Sequence, residues 1–234
     1  MARDPEEITA TLRQLARLDP VELGHQAVLE RIVQAAATCC ARTGGGGLLL
    51  LDHNRQLSYV AAAGRPRRVL AGSQVRLGQG PSVDAFLQDA PVASEDLAAE
   101  PRWPGFHRLA LAAGVRAWLS APVRQRHGPI GVLDFARTDP QPWQPQDLAA
   151  AAGFARLIVA TLQSATTHQQ QEPLSPALRF AVDHDARIEQ AREIIMEHER
   201  LDQVAAVELL RLQAQIEGQP IRAVAERLLS RTRR

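Results

Sequence analysis

The sequence predicts an α+β protein: an antiparallel sheet with flanking helices, followed by an all-α three-helix module. Three observations carry the prediction. Short apolar runs bounded by turn residues cluster between positions 48 and 136, amphipathic helical stripes lie on either side of them, and beyond Pro176 the pattern is purely helical.

Taken in order, Glu6 to Leu18 spaces Ile8, Leu12, Leu15 and Leu18 along one helical stripe. Asp19-Pro20 restarts the chain, with Asp19 as an N-cap and Pro20 at the first helical position. Leu29, Ile32, Val33, Ala36 and Cys40 then form an amphipathic helix, which the glycines from Gly44 to Gly47 are expected to end. Leu48 to Leu51 is too short for a helix and suits a strand buried on both faces. After the turn-like Asp52-His53-Asn54-Arg55, Leu57 to Ala61 completes a hairpin, and Val69 to Leu77 reads as a third strand.

Gly78-Gln79-Gly80-Pro81 is a turn that launches a helix through Asp84, Phe86 and Leu87. It lacks the third glycine and the lysine of a phosphate-binding loop. Pro91-Val92 opens a brief extended piece, and Phe106 to Ala113 forms a helix. Ala117 to Val123 and Ile130 to Ala136 are a strand pair turned at Gly128. Pro145 begins a helix that carries Phe154, Leu157, Ile158, Leu162 and Ala165 on one face. A polar stretch with Pro173 and Pro176 follows, so the expected domains are 1–165 and 177–234, joined by a linker at 166–176. In the second, Ile188, Ala191 and Ile195 mark one helix, and Asp202 caps another with Ala206, Leu209, Leu210 and Ala214. Gly218 and Pro220 separate that helix from a third, with Ile221, Val224, Ala225, Leu228 and Leu229.

Composition narrows the function. The 234 residues are 45% hydrophobic, which rules out wholesale disorder. All 27 basic side chains are arginines, and the net charge is only +1, so any nucleic-acid contact must come from a local patch. Residues 1–7 lack the apolar core of a signal peptide, no apolar run approaches the roughly 18–20 residues of a membrane span, and the only cysteines are the neighbours Cys39 and Cys40. These features predict a cytoplasmic protein with no membrane partner, whose cysteines pack as small hydrophobes, with redox sensing as the alternative. No ordered triad or metal-ligand spacing is present, so neither catalytic nor metal residues are assigned and no enzyme is expected. No motif identifies a cofactor.

Several segments are specific enough to carry a resemblance. Gly44 to Asp52, Leu77-Gly-Gln-Gly-Pro81 with Asp84, Asp96 to Pro104, Ala113-Gly-Val-Arg116 and Gly131-Val-Leu-Asp134 occur in the order of a GAF domain, which residues 20–165 resemble. The resemblance implies a small-molecule or redox sensor with a cavity between sheet and helices. Trp103, Phe106, His107, Trp118 and Phe135 are the expected pocket residues, and the same side chains also fit ordinary core packing. Haem held by His107 is not expected.

Arg187-Ile-Glu-Gln-Ala-Arg192, Ala206-Val-Glu-Leu-Leu-Arg211 and Ile221-Arg-Ala-Val-Ala225 resemble an ANTAR domain. That resemblance implies binding to paired RNA stem-loops as a homodimer and transcription antitermination. Arg192-Glu193 stands where the family usually has Lys-Gly, Arg200 where it has Gly, Val207 where it has an aromatic, and Asp185 where it has Arg. Arg187, Gln190, Arg192, Arg211 and Arg222 are the expected RNA-binding residues, extended by Arg231, Arg233 and Arg234. From Ala177 onward ten arginines face ten acidic residues, so RNA binding requires the arginines to gather on one face. Phe154, Leu157, Ile158 and Leu162 are the expected dimer seam. The alternative is a sensory dimer whose helical C-terminus contacts protein and not RNA.

Overall fold

The computed structural model describes residues 4–41, 44–52, 54, 56–64, 67–167 and 175–232. Linker residues 168–174, the turn residues His53 and Arg55, and Arg233 and Arg234 of the expected basic face lie outside the described residues. The chain divides into two compact units, Met1–Ala181 and Val182–Arg234.

In the first unit, aspartates start the early helices. Asp4 accepts from the Glu6 amide at 3.0 Å to open α1 (Pro5–Leu15), and Asp19 accepts from the Val21 amide at 2.8 Å to open α2 (Pro20–Leu23). α3 (His25–Ala36) buries Val28, Leu29, Ile32, Val33 and Ala36, then continues as a π-helical turn over Ala37–Ala41.

Five strands follow: β1 (Gly45–Leu51), β2 (Leu57–Ala63), β3 (Val92–Ser94), β4 (Ala117–Gln125) and β5 (Gly128–Arg137). They form one antiparallel sheet in the order β2-β1-β5-β4-β3. α3 and α7 (Pro145–Thr167) pack against one face. The other face carries α4 (Arg67–Leu77) and α5 (Pro81–Gln88), with α6 (Pro104–Ala112) packed on α4. Register places Gly47 and Ser120 on either side of Asp134, at the centre of the sheet.

Three expectations are corrected in this unit. Val69 to Leu77, expected as a strand, is the helix α4. Its buried positions Leu70, Ala71 and Gln74 follow a helical period that a polar residue conceals. The glycines expected to end a helix instead begin β1, because both faces press on them. A Cβ on Gly46 would meet Ala37 Cβ at 3.3 Å, and one on Gly47 would meet Tyr59 Oη at 2.9 Å. Phe154, Ile158 and Leu162, expected as a dimer seam, are fully buried within the unit, and Leu157 is half-buried. α7 lies on α3 and β4, so its apolar face closes the chain's own core.

The second unit follows α8 (Pro176–Val182) and contains α9 (His184–Glu199), α10 (Gln203–Ile216) and α11 (Ile221–Thr232), the three helices expected. Asp202 Oδ1 accepts from the Ala205 amide at 2.8 Å, the predicted cap of α10. At its other end Gly218 takes φ 59°, and the amides of Gly218 and Gln219 bond back to Gln215 and Ala214. This is a Schellman closure that favours glycine. Ile188, Ala191, Ile195, Ala206, Leu210, Ala214, Val224 and Ala225 make the core. Among the described residues, no helix is long and apolar enough to cross a membrane.

Candidate functional site

The sheet face under α4 and α5 holds a buried polar cluster. α5 begins at Pro81 because Gly80, at φ 137°, turns the chain, and this sets Ser82 over the middle of the sheet. Ser82 Oγ donates to Asp134 Oδ2 at 2.8 Å, and Ser120 Oγ donates to Asp134 Oδ1 at 2.6 Å. Trp118 Nε1 donates to Ser120 Oγ at 3.1 Å, and the Ser82 amide donates to Gln74 Oε1 at 2.8 Å. All five side chains are buried. Burial pushes the Asp134 carboxyl up to about 6 against the opposing pull of its hydroxyl donors.

Gly45, Gly46, Gly47, Tyr59, Ala71, Trp118, Asp134 and Ala136 enclose a void beside this cluster, too tight for a water-sized sphere. Of the five expected pocket residues, only Trp118 borders it. Trp118 and Phe106 meet edge to face, with ring centroids 5.4 Å apart, and Trp103 belongs to the same packed core. Phe135 is buried on the opposite face, because Trp118 opposes Ala136 and side chains alternate along β5. His107 is partly exposed on α6, with its Nδ1 buried and unpaired. Among the described residues no group of three His, Cys, Asp or Glu side chains could hold a metal ion.

The reading of aromatics therefore reached the void only at Trp118 and missed the polar members Gln74, Ser82, Ser120 and Asp134. One signal was present: an aspartate inside the apolar run Val132-Leu133-Asp134-Phe135. The other motif acids fix the surrounding loops. Asp84 accepts from Trp103 Nε1 at 2.9 Å, and Asp96 takes two hydrogen bonds from Arg116 Nη2, each at 2.9 Å. The Ala98 amide and Arg116 hold Asp96 below the usual carboxylate range. Cys39 and Cys40 are buried and not disulfide-bonded, and burial raises the Cys40 thiol further from ionisation.

In the helical unit the expected RNA-binding residues differ widely in exposure. Gln190 and Arg211 are exposed, Arg187 is half-buried, and the Arg192 side chain is mostly buried. Arg222 is 6% exposed, which corrects its expected surface position: α11 turns it inward beside Val224 and Ala225. Each of three arginines pairs with a carboxylate of its own helix. Arg192 pairs with Glu189, Arg211 with Glu208 at 2.5 Å, and Arg222 Nε with Glu226 at 2.8 Å. Arg227 also pairs with Glu217. Charges of both signs are thus interleaved, and no bare arginine stripe forms among these pairs. Val204, Leu212 and Ile216 on α10 are 73%, 52% and 74% exposed.

Arg200 explains one departure from the resemblance. It closes α9 at φ 55°, in the left-handed region where glycine is unstrained.

Comparison with known proteins agrees with both units. The GAF domain model matches residues 22–163, and the ANTAR domain model matches residues 177–229. The GAF domain of a phosphoenolpyruvate-protein phosphotransferase from Coxiella burnetii superposes with a TM-score of 0.56 at 14% identity, over 72% of this chain and 100% of its own. The corresponding Acinetobacter domain gives 0.55 at 18% identity, over 70% and 98%. A free methionine-R-sulfoxide reductase from Neisseria meningitidis, solved with its substrate, gives 0.57 at 17% identity, over 72% and 96%. At these identities the likeness shows the fold alone. A search of curated protein sequences gives no match.

Proposed function

This chain belongs to the GAF domain family and carries a C-terminal ANTAR domain, and from that premise we propose a signal-responsive RNA-binding regulator that acts by transcription antitermination. The observation that carries the reading is the pairing itself: a sensor domain followed by a domain of an RNA-binding antitermination family. The protein works in the cytoplasm without catalysing a reaction. A small molecule at the GAF cavity favours one arrangement of the chain over another, since a ligand that binds both equally would shift nothing.

Two copies engage two stem-loops. Arg211 and Gln190 reach the RNA first, being exposed, and Arg187 and Arg192 follow from less accessible positions on α9. The ion pair at Arg211 is no obstacle. Exposed pairs contribute about 0–1 kcal/mol, so a phosphate can replace Glu208 as the partner. Arginine suits this exchange because its planar fork pairs with phosphate and stacks on an unpaired base.

A second reading is favoured by one observation. The interleaved charges and the exposed Val204, Leu212 and Ile216 suit a protein contact by the C-terminal helices better than a purely electrostatic one. Gel-shift titration of the full chain against a twin stem-loop RNA and a scrambled control decides between them. Preferential binding of the stem-loops supports the regulator, and equal or absent binding moves the protein-contact reading ahead.

A further inference from the structure

α10 has two apolar stripes, and the core of the helical unit uses one of them. Ala206, Leu210 and Ala214 are buried in that core. Ala205, Leu209, Leu212 and Ile216 stand at i, i+4, i+7 and i+11, the spacing of a coiled-coil seam, and form the second stripe. Ala205 and Leu209 are half-buried, with Leu209 packed against the core, whereas Leu212 and Ile216 are 52% and 74% exposed. Among the described residues the outer half of this stripe thus lies in water, where burying each aliphatic side chain is favourable.

The stripe matches a second copy of itself. Antiparallel pairing centred between Leu209 and Leu212 sets Leu209 opposite the second copy's Leu212. It also sets Ala205, the smallest member, opposite the second copy's Ile216. The flanking positions are Glu208 and Gln215 on one side and Gln213 on the other. The one charge among them, Glu208, pairs with Arg211 of its own helix at 2.5 Å and comes level with the second copy's Gln213, so no like charges are forced together. Arg211 lies outside the stripe and its flanks, and pairing leaves it open to RNA. The seam expected on α7 is closed within its own unit, where Phe154, Ile158 and Leu162 are fully buried. The stripe on α10 is open.

We propose that two copies of this chain meet along α10, each laying Ala205, Leu209, Leu212 and Ile216 antiparallel against the same four residues of the other. The proposal rests on the two-copy reading above and names the surface that joins the copies. From Ala205 to Ile216 the stripe is about 16 Å long, a small interface, so association is reversible and concentration-dependent.

Sedimentation equilibrium of the full chain, from about 10 to 500 μM, reads the association. The wild type should pass from monomer to dimer over this range. Leu212→Glu and Ile216→Glu should each weaken association by about tenfold or more, since each puts a charge in the apolar seam. Both positions are exposed, so thermal unfolding followed by circular dichroism should match the wild type. Leu87→Glu, at a residue 75% exposed on α5, should leave association unchanged. Ala205→Arg and Ile216→Glu, each defective alone, should associate when mixed, because antiparallel pairing brings the two new charges together. A wild type that stays monomeric throughout, or that associates no better than Leu212→Glu and Ile216→Glu, overturns the proposal. So does an equal loss in Leu87→Glu. A mixture that fails to associate overturns the antiparallel register. Stem-loop binding, measured separately by gel shift, tests the regulator reading: a chain that associates through α10 and ignores the RNA keeps this seam and loses that reading.

Discussion

Asp134 in the sheet unit and Arg222 in the helical unit are both charged residues with almost no exposure, yet their surroundings differ in kind. Asp134 is met by the hydroxyls of Ser82 and Ser120 and by the Trp118 indole, with no charged partner among the described residues, and burial raises its carboxyl to about 6. Arg222 is met by Glu226 one turn along its own helix, and that pairing opposes the lowering of its pKa by burial. A buried charge with a built-in partner is part of the local packing. A buried charge without one stays costly unless it takes up a proton.

The largest effect should come from breaking the Asp134 side of this contrast. Its folded-state value lies above the unfolded one of 3.8, so its contribution to stability is present below that pH and is lost as pH rises through about 6. Asp134→Asn should remove that component. The stability of the wild type relative to Asp134→Asn, measured by denaturant unfolding, should fall by on the order of 3 kcal/mol from about pH 4 to pH 7. A difference that is flat with pH would mean that Asp134 is already compensated.

Arg222→Ala tests the other side. It should cost about 1–3 kcal/mol of the helical unit's stability, read by helical circular dichroism on thermal unfolding, because it removes a buried, ion-paired side chain. Arg211→Ala, at an exposed pair, should change stability by less than about 0.5 kcal/mol. Equal costs at the two sites would erase the distinction between internal and exposed arginines. Arg200→Gly sharpens it from another direction. It should stabilise the unit by up to about 1 kcal/mol, since glycine fits φ 55° without strain, and a destabilisation would place the value of Arg200 in its side chain.

What could be read from the sequence follows the same division. α10 and α11 were legible because local chemistry agrees with the fold: Asp202 caps, Gly218 closes, and Val224, Ala225 and Leu228 repeat at helical spacing. α4 was not legible because Gln74 occupies a fully buried helical position, where it serves Ser82 and breaks the apolar stripe. The glycines of β1 read as a terminator because their reason, the nearness of Ala37 and Tyr59, lies outside the local sequence. Phe135 was placed in the wrong layer for want of register: opposing Leu119, it faces away from Trp118. At each of these positions long-range packing overrides a local signal, and two of them, Gln74 and Gly47, border or serve the candidate site.

The most direct test of the account is a gel-shift salt series of the full chain on a twin stem-loop RNA, comparing wild type, Arg211→Ala and Arg222→Ala. The account predicts preferential stem-loop binding that weakens steeply with salt. Arg211→Ala should flatten the slope by about one unit, and Arg222→Ala should keep the wild-type slope wherever the unit remains folded. No preference over a scrambled RNA, or a slope that responds to Arg222 and not to Arg211, would contradict it.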